Sequence, residues 1–165
     1  MAIDIRSATA DDIPGVWACF AAVARERKYL IFTEARPLEE SRGYYQALFD
    51  NRAPFEIADD AGRIVGWCDV VPKPQPILEH SGVLGMGLLP EYRGRGIGRQ
   101  LLTATIDSAR RRGLERIELS VFNSNARARR LYESVGFVAE GARRRFRKLD
   151  GVFEDDTMMA LLLNP

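Results

Sequence analysis

The sequence predicts a mixed α/β fold: a central mixed sheet of six to seven strands with helices on both faces. Apolar residues alternate with period two in several short stretches and recur at helical spacing in others, and the two kinds of stretch interleave along the chain. The chain has 165 residues, 46% apolar and 28% charged, so one domain, residues 1–165, can bury about 70% of its unfolded surface without staples. That composition excludes a disordered chain. No apolar run approaches the roughly 20 residues that a membrane helix needs, so no membrane partner is expected. Two cysteines, Cys19 and Cys68, form no CxxC pair, and the start is not signal-like. A reducing, cytoplasmic setting with both thiols buried or half-buried is the expectation.

The elements follow in order. Residues 3–7 alternate as a short strand. Thr9-Ala-Asp-Asp12 then supplies a cap and early acids for a helix over about 13–27, with Pro14 in its first turn. A second helix runs over about 38–49, started near Pro37. Between them, Tyr29-Leu-Ile-Phe32 is apolar without capping logic and either fills the core or faces a substrate. Residues 55–59 and 63–71 flank Asp60-Ala-Gly62 and read as a hairpin. Pro72, Pro74 and Pro76 impose a stiff extended connection. Residues 81–89 form an apolar strand whose three glycines allow a bulge or the close approach of a ligand. A helix follows from about Gly96 to Arg112, closed by Gly113, then a strand over 115–122 and a helix over 124–135 closed by Gly136. Two strands, about 137–147 and 153–163, surround a turn at Leu149-Asp-Gly151.

Charge is unevenly spread. The 24 basic and 23 acidic groups nearly cancel, yet residues 1–92 carry 9 basic and 14 acidic groups, net −5, while residues 93–148 carry 15 and 5, net +10. Of the basic residues 21 are Arg and 3 are Lys, and Arg is the better planar donor to phosphate oxygens. The basic segment opens with LLPEYRGRGIGRQLL, residues 88–102, which sets Arg93, Gly94, Arg95, Gly96, Ile97 and Gly98 between a strand and a helix. Glycine permits close approach, and the first helical N–H groups lack intrahelical partners, so this turn suits a diphosphate. A nucleoside-triphosphate loop is excluded, because Gly98 is followed by Arg99-Gln100 rather than Lys-Ser/Thr. A dinucleotide GxGxxG loop lacks its third glycine, where Arg99 stands, although Glu118 lies about 20 residues on.

Arg93, Gly96 and Gly98, with Pro90 and Tyr92 before them, resemble the coenzyme motif of the GNAT N-acetyltransferases, Arg/Gln-x-x-Gly-x-Gly/Ala. Downstream, Asn125, Ala128, Leu131, Tyr132, Gly136 and Phe137 match that family's Asn-x-x-Ala-x-x-Leu-Tyr-x-x-x-Gly-Phe. The order of elements agrees along essentially the whole chain. The C-terminal region is similar to the branch acting on L-amino acids or related small amines, and also to the branch that modifies protein N-termini.

The resemblance implies a splayed sheet, acetyl-CoA as acyl donor, no metal, and direct attack by the acceptor amine without an acyl-enzyme. Neither cysteine sits beside a base in sequence, and a single His leaves little material for a nucleophilic triad. The N–H groups from Arg93 to Gly98, with Arg99, would hold the pyrophosphate, and the Arg93 or Arg95 side chain would touch a phosphate unless both serve solubility. The arm would pair with the edge of residues 86–89, including Met86 and Leu89, and the Leu88 N–H would meet the oxyanion. Asn125 and Tyr132 are seven residues apart and share a helix face. By resemblance, Asn125, beside Ala128, would bond the coenzyme arm, or else cap the helix. A phenol of pKa about 10 can protonate a departing thiolate, which makes Tyr132 the general acid unless it is a packing aromatic. The strand 81–89 holds no carboxylate, so the base is His80, Glu79, a water relay or a group from elsewhere. Tyr29 and Glu34 are candidates for substrate contact, with Glu79 beside them. An anionic coenzyme, not nucleic acid, is the expected partner of the basic segment. Protein N-terminal acetylation and a non-catalytic CoA-binding module remain alternatives, and the C-terminal strands would be the contact of a homodimer.

Overall fold

The computed structural model describes residues 3–163. The strands are β1 (Asp4–Ser7), β2 (Phe55–Asp60), β3 (Arg63–Pro72), β4 (Ser81–Leu88), β5 (Arg116–Phe122), β6 (Val138–Leu149) and β7 (Val152–Leu162). The helices are α1 (Ile13–Arg25), α2 (Leu38–Asp50), α3 (Ile97–Arg112) and α4 (Ala126–Ser134). The sheet order is β1-β2-β3-β4-β5-β7-β6, and β4 with β5 is its one parallel pair.

Local chemistry accounts for the boundaries. Ala61 and Gly62 both have positive φ, as do Asp150 and Gly151, so the β2–β3 and β6–β7 hairpins turn through two left-handed residues. Gly113 ends α3 with φ +88. The Thr9–Asp12 cap opens a short 3-10 turn rather than α1 itself, and Asp12 accepts from the Thr9 N–H at 2.8 Å while Arg6 grips both its oxygens. Pro72 ends β3 beside Gly82; the next N–H, of Lys73, reaches the Ser81 carbonyl, so the imide nitrogen points to the side where β2 has already ended.

Two layers of helix enclose the sheet. On one face α3 packs against β3, with the Thr105 hydroxyl bonded to the carbonyls of Leu101 and Cys68 and Gly66 tight against Leu88 and Leu101. Next to α3 lies α4, where Leu131 meets Gly98 and Arg99 reaches Ser134. The opposite face carries α1 and α2, and Phe20 of α1 meets Trp67 of β3 edge-on at 5.7 Å. Ile57, Val65, Cys68, Val70, Leu101, Leu102 and Ile117 are fully enclosed between them. Both thiols are buried and unpaired with each other. The segment Tyr29-Leu-Ile-Phe32 is not core filler: Tyr29, Ile31 and Phe32 are all exposed, and only Leu30 packs inward.

The sheet comes apart at one place. β4 and β5 pair only over Ser81–Val83 with Arg116–Glu118; beyond that β4 stays with β3 as far as Leu88, and β5 stays with β7 as far as Phe122. Where β4 follows β3, Gly87 lets the Trp67 ring lie over it so closely that a Cβ there would sit 2.1 Å from a ring carbon.

Candidate active site

The gap between the parted strands is a cleft of about 300 Å³. Its β4 wall follows from register. The N–H of Leu89 bonds back to Val65 on β3, and residues alternate along a strand, so Leu88 and Met86 turn their N–H and carbonyl groups away from β3 and into the gap. The Leu88 carbonyl accepts from Arg93 Nε at 2.8 Å. The Leu88 N–H and the Met86 edge have no strand partner among the described residues.

At one end of the cleft lies the glycine loop. Gly94 and Gly96 both adopt the left-handed conformation, φ +76 and +82, and alternation of that kind turns successive N–H groups to one side. Arg93 N–H is taken by Pro90, and the N–H groups of Arg99 and Gln100 by the Gly96 carbonyl. Those of Gly94, Arg95, Gly96, Ile97 and Gly98 are left without a partner among the described residues, at the start of a sixteen-residue helix. This cradle fits a diphosphate. Arg99 and Arg127 line it without an acidic partner, and Arg127 Nη2 stands 2.5 Å from where a Gly94 Cβ would be.

Arg93 also lines the cleft, but its side chain is already paired. Its guanidinium is bidentate to Glu26 at 2.8 and 2.5 Å and lies 4.9 Å from the Tyr29 ring centroid. Arg93 thus clamps the end of α1 to the end of β4, and its guanidinium is engaged with Glu26 rather than free for a phosphate. Arg95 sits over the Tyr92 ring, outside the cleft lining.

The other wall comes from β5 and α4. Ser120 and Val121 line it, with Asn125, Ala128, Leu131 and Tyr132 from α4. Asn125 caps α4, its side-chain oxygen accepting from Ala128 N–H at 3.2 Å, and its amide nitrogen has no partner among the described residues. Tyr132 is buried, with its ring centroid 5.8 Å from that of Phe137. No described side chain bonds its hydroxyl, and no fully enclosed side-chain oxygen among the described residues lacks a partner, so that hydroxyl opens to the cleft. Burial pushes its pKa well above the usual phenol value, and Cys68 adds to the shift. The group is therefore protonated throughout the neutral range.

Some expected residues are not brought here. Leu89 and Ile97 turn their side chains into the core. His80 and Glu79 flank the far end of β4, in a separate polar depression with Lys73, Arg112 and Glu115. Six residues of strand, about 20 Å, separate His80 from Met86, so neither it nor Glu79 reaches the cleft. Glu34 is exposed and does not line it, whereas Tyr29 does. In the basic run 143–147, outside the cleft lining, Arg143 pairs with Asp156 and Arg147 with Glu154, and Arg145 lies over Phe153. No three His, Cys, Asp or Glu side chains among the described residues converge on a metal site, and no helix among them is long and apolar enough to cross a membrane.

With this geometry in view, the likenesses to known proteins are specific. Residues 21–137 match the family model described as acetyltransferase (GNAT) family. The [ribosomal protein bS18]-alanine N-acetyltransferase of Escherichia coli (strain K12) is 37% identical over 87 residues, 53% of this chain and 59% of that protein; the chain spans about half the length of the curated relatives it matches. The crystal structure of a ribosomal-protein-alanine N-acetyltransferase from Brucella melitensis superposes with a TM-score of 0.89 at 26% identity, covering 97% of this chain and 99% of that one. A phosphinothricin acetyltransferase from Sinorhizobium meliloti, solved in complex with acetyl-CoA, shares the fold with a TM-score of 0.91 at 19% identity, covering 99% and 89%. The family model spans most of the chain and includes both the glycine loop and α4, and the chain belongs to the acetyltransferase (GNAT) family.

Proposed function

We propose that the protein transfers an acetyl group from acetyl-CoA to the primary amine of a small amino-acid-like molecule. One observation carries this: an unpaired β4 edge, a cradle of free N–H groups and the open hydroxyl of Tyr132 share one cleft. Acetyl-CoA supplies an activated thioester carbonyl to that cleft. The N–H groups from Gly94 to Gly98, with Arg99 and Arg127, hold a diphosphate. The Met86 and Leu88 edge pairs with an amide-bearing arm as an added strand would, and the Asn125 amide donates to it. The Leu88 N–H points into the gap and stabilises negative charge developing on a carbonyl oxygen. Tyr132 donates its hydroxyl proton to the departing sulfur. Its raised pKa remains matched to this task, because the same desolvation raises the basicity of a thiolate enclosed beside it.

The acceptor enters from the face covered by α1 and α2. There an aromatic column runs from exposed Phe32 through Phe20 to Trp67 over Gly87, with Tyr29 at the cleft mouth. These walls suit an amine carrying an apolar side group. A peptide N-terminus is the second reading, favoured by the nearly full-length likeness to the Brucella enzyme.

The test is acetyl-CoA-dependent thiol release across L-amino acids, their amides, polyamines and alanine-initiated peptides, with wild type and Tyr132→Phe. We expect turnover on amino acids or their amides, and a fall of at least tenfold in kcat for Tyr132→Phe with coenzyme affinity nearly unchanged. Turnover on peptides alone selects the second reading. Coenzyme binding without turnover on any amine leaves a regulatory module.

A further inference from the structure

Three carboxylates are buried in the described structure. Asp156 pairs with Arg143, and Glu56 accepts from the hydroxyls of Ser7 and Ser108. The third, Asp69, lies in the middle of β3 with no ion pair among the described residues. Its strand partner on β4 is Gly85. A Cβ placed on Gly85 would have the Asp69 carboxylate as its nearest neighbour, 3.5 Å from Oδ1 and 3.9 Å from Oδ2. The space over Gly85 is therefore a notch that opens directly on a carboxylate. Gly85 immediately precedes the Met86–Leu88 edge of the cleft.

Position on the sheet gives this carboxylate its direction. Asp69 and Trp67 share the face covered by α1 and α2, the face from which the aromatic column leads. Tyr132 reaches the β4 edge from the other side, near Cys68.

We propose that Asp69 is the general base of the acetyl transfer, taking the amine proton through a short chain of waters that starts in the notch over Gly85. This rests on the acetyltransferase reading of the cleft. As the amine lone pair forms the C–N bond, the C–S bond breaks with its pair on sulfur. Sulfur takes the Tyr132 hydroxyl proton, and the excess proton on nitrogen passes to Asp69. Exchange with solvent returns a proton to Tyr132 and removes the one on Asp69. The span from Gly85 to Leu88 is about 10 Å along the strand, beyond direct transfer and beyond the reach of one water, which is why more than one water relays the proton.

The electrostatics agree. Desolvation pushes the Asp69 carboxyl up to about 7, with the Trp67 indole pulling the other way. Asp69 faces the phenols of Tyr44 and Tyr45 from α2, both pushed up in part by its charge. Phe55 is its partner on β2 and Gly85 on β4; Cys19 of α1, near Tyr45, is a buried thiol also pushed up by burial. No charged group acts on Asp69 among the described residues. A carboxylate poised near neutral pH is suited to accept a proton.

The experiment compares wild type, Asp69→Asn and Gly85→Ala with the best acceptor of the panel above, and follows the Asp69 13Cγ resonance against pH. We expect Asp69→Asn to lower kcat at least 100-fold and to abolish an acid limb with its midpoint near pH 7. Gly85→Ala, which fills the notch, should lower kcat at least tenfold. Both variants should keep the thermal shift given by acetyl-CoA, and the resonance should titrate near 7. Unchanged kcat in Asp69→Asn, or titration in the ordinary carboxylate range, overturns the assignment. Wild-type protein that transfers acetyl to no amine overturns the acetyltransferase reading and the base with it, an outcome distinct from inactive variants beside an active wild type.

Discussion

Replacing Gly96 with alanine isolates the backbone contribution of the glycine loop. Gly96 has φ +82, and no heavy atom lies within 4 Å of where its Cβ would stand. The substitution meets no clash, so its cost is that of the left-handed conformation, about 1–2 kcal/mol. In a chain of 165 residues that lowers Tm by about 2–8 °C. If the loop relaxes to escape the strain, the alternation with Gly94 is lost and the N–H groups turn away from the ligand. Losing one charge-assisted hydrogen bond costs about 1.5–3 kcal/mol, or roughly 10–150-fold in coenzyme Kd. Gly43→Ala is the matched control: the same methyl added at an exposed site in α2 where nothing lies within 4 Å and φ is ordinary. It should gain about 0.5–1 kcal/mol and raise Tm by about 1–4 °C, with no effect on coenzyme. Thermal unfolding with and without acetyl-CoA, together with calorimetric titration, reads both. If Gly96→Ala stabilises as Gly43→Ala does, or leaves Tm unchanged while binding acetyl-CoA within twofold of wild type, the strained cradle is refuted.

Two further substitutions test the anchoring of the site and the acid stability of the fold. Glu26→Gln removes the carboxylate from half-buried Arg93 and should cost about 1–2 kcal/mol in denaturant unfolding while acetyl-CoA Kd changes less than threefold. A tighter Kd would mean that Glu26 holds Arg93 back from a phosphate. Asp12 is held down to about 2, chiefly by the Arg6 guanidinium. A depressed carboxyl contributes stability above its unfolded value near 3.9 and loses it as pH falls toward 2. Discounting for the partly exposed Arg6, Asp12→Asn should lower stability at pH 7 by about 1–2 kcal/mol and flatten the loss between pH 4 and 2. An unaltered slope over that range would count against the Arg6 pair.

Most of the fold was legible because its signals are local. The hairpin turns at Ala61-Gly62 and Asp150-Gly151, the stop at Gly113 and the cap at Asn125 each depend on a few adjacent residues. The same holds for the glycine loop and for Tyr132, which residue type and spacing single out and which the fold brings to one cleft. The failures are contacts that sequence distance conceals. Arg93 is claimed by Glu26, 67 residues away. His80 and Glu79 adjoin β4 in sequence but sit at the end remote from the cleft. The signal for Arg127, a side chain one helical turn from Leu131 and facing the loop, is visible only once α4 lies beside α3. Asp69 did leave a mark, as the lone acid between apolar Trp67-Cys68 and Val70-Val71. That mark gains meaning only with the register that sets Asp69 opposite Gly85.

The charge asymmetry takes on a different sense once pairing is known. In the basic segment Arg110, Arg116, Arg129, Arg143 and Arg147 are matched to carboxylates, as is Arg93. Net charge overstates what the cleft offers an anion: Arg93, Arg99 and Arg127 line it, Arg93 already paired with Glu26, beside a run of amide N–H groups. In the acidic half, the carboxylate that matters is one that burial tends to neutralise. Acetyl transfer takes a proton from nitrogen and gives one to sulfur, and a single group cannot serve both sides of the carbonyl at once. On the proposed reading, Tyr132 on one face of the sheet and Asp69, acting through water, on the other separate the two tasks. On that reading the parting of β4 from β5 serves more than holding an arm: a β4 paired along its length would leave no free edge for a carbonyl between the two proton sites.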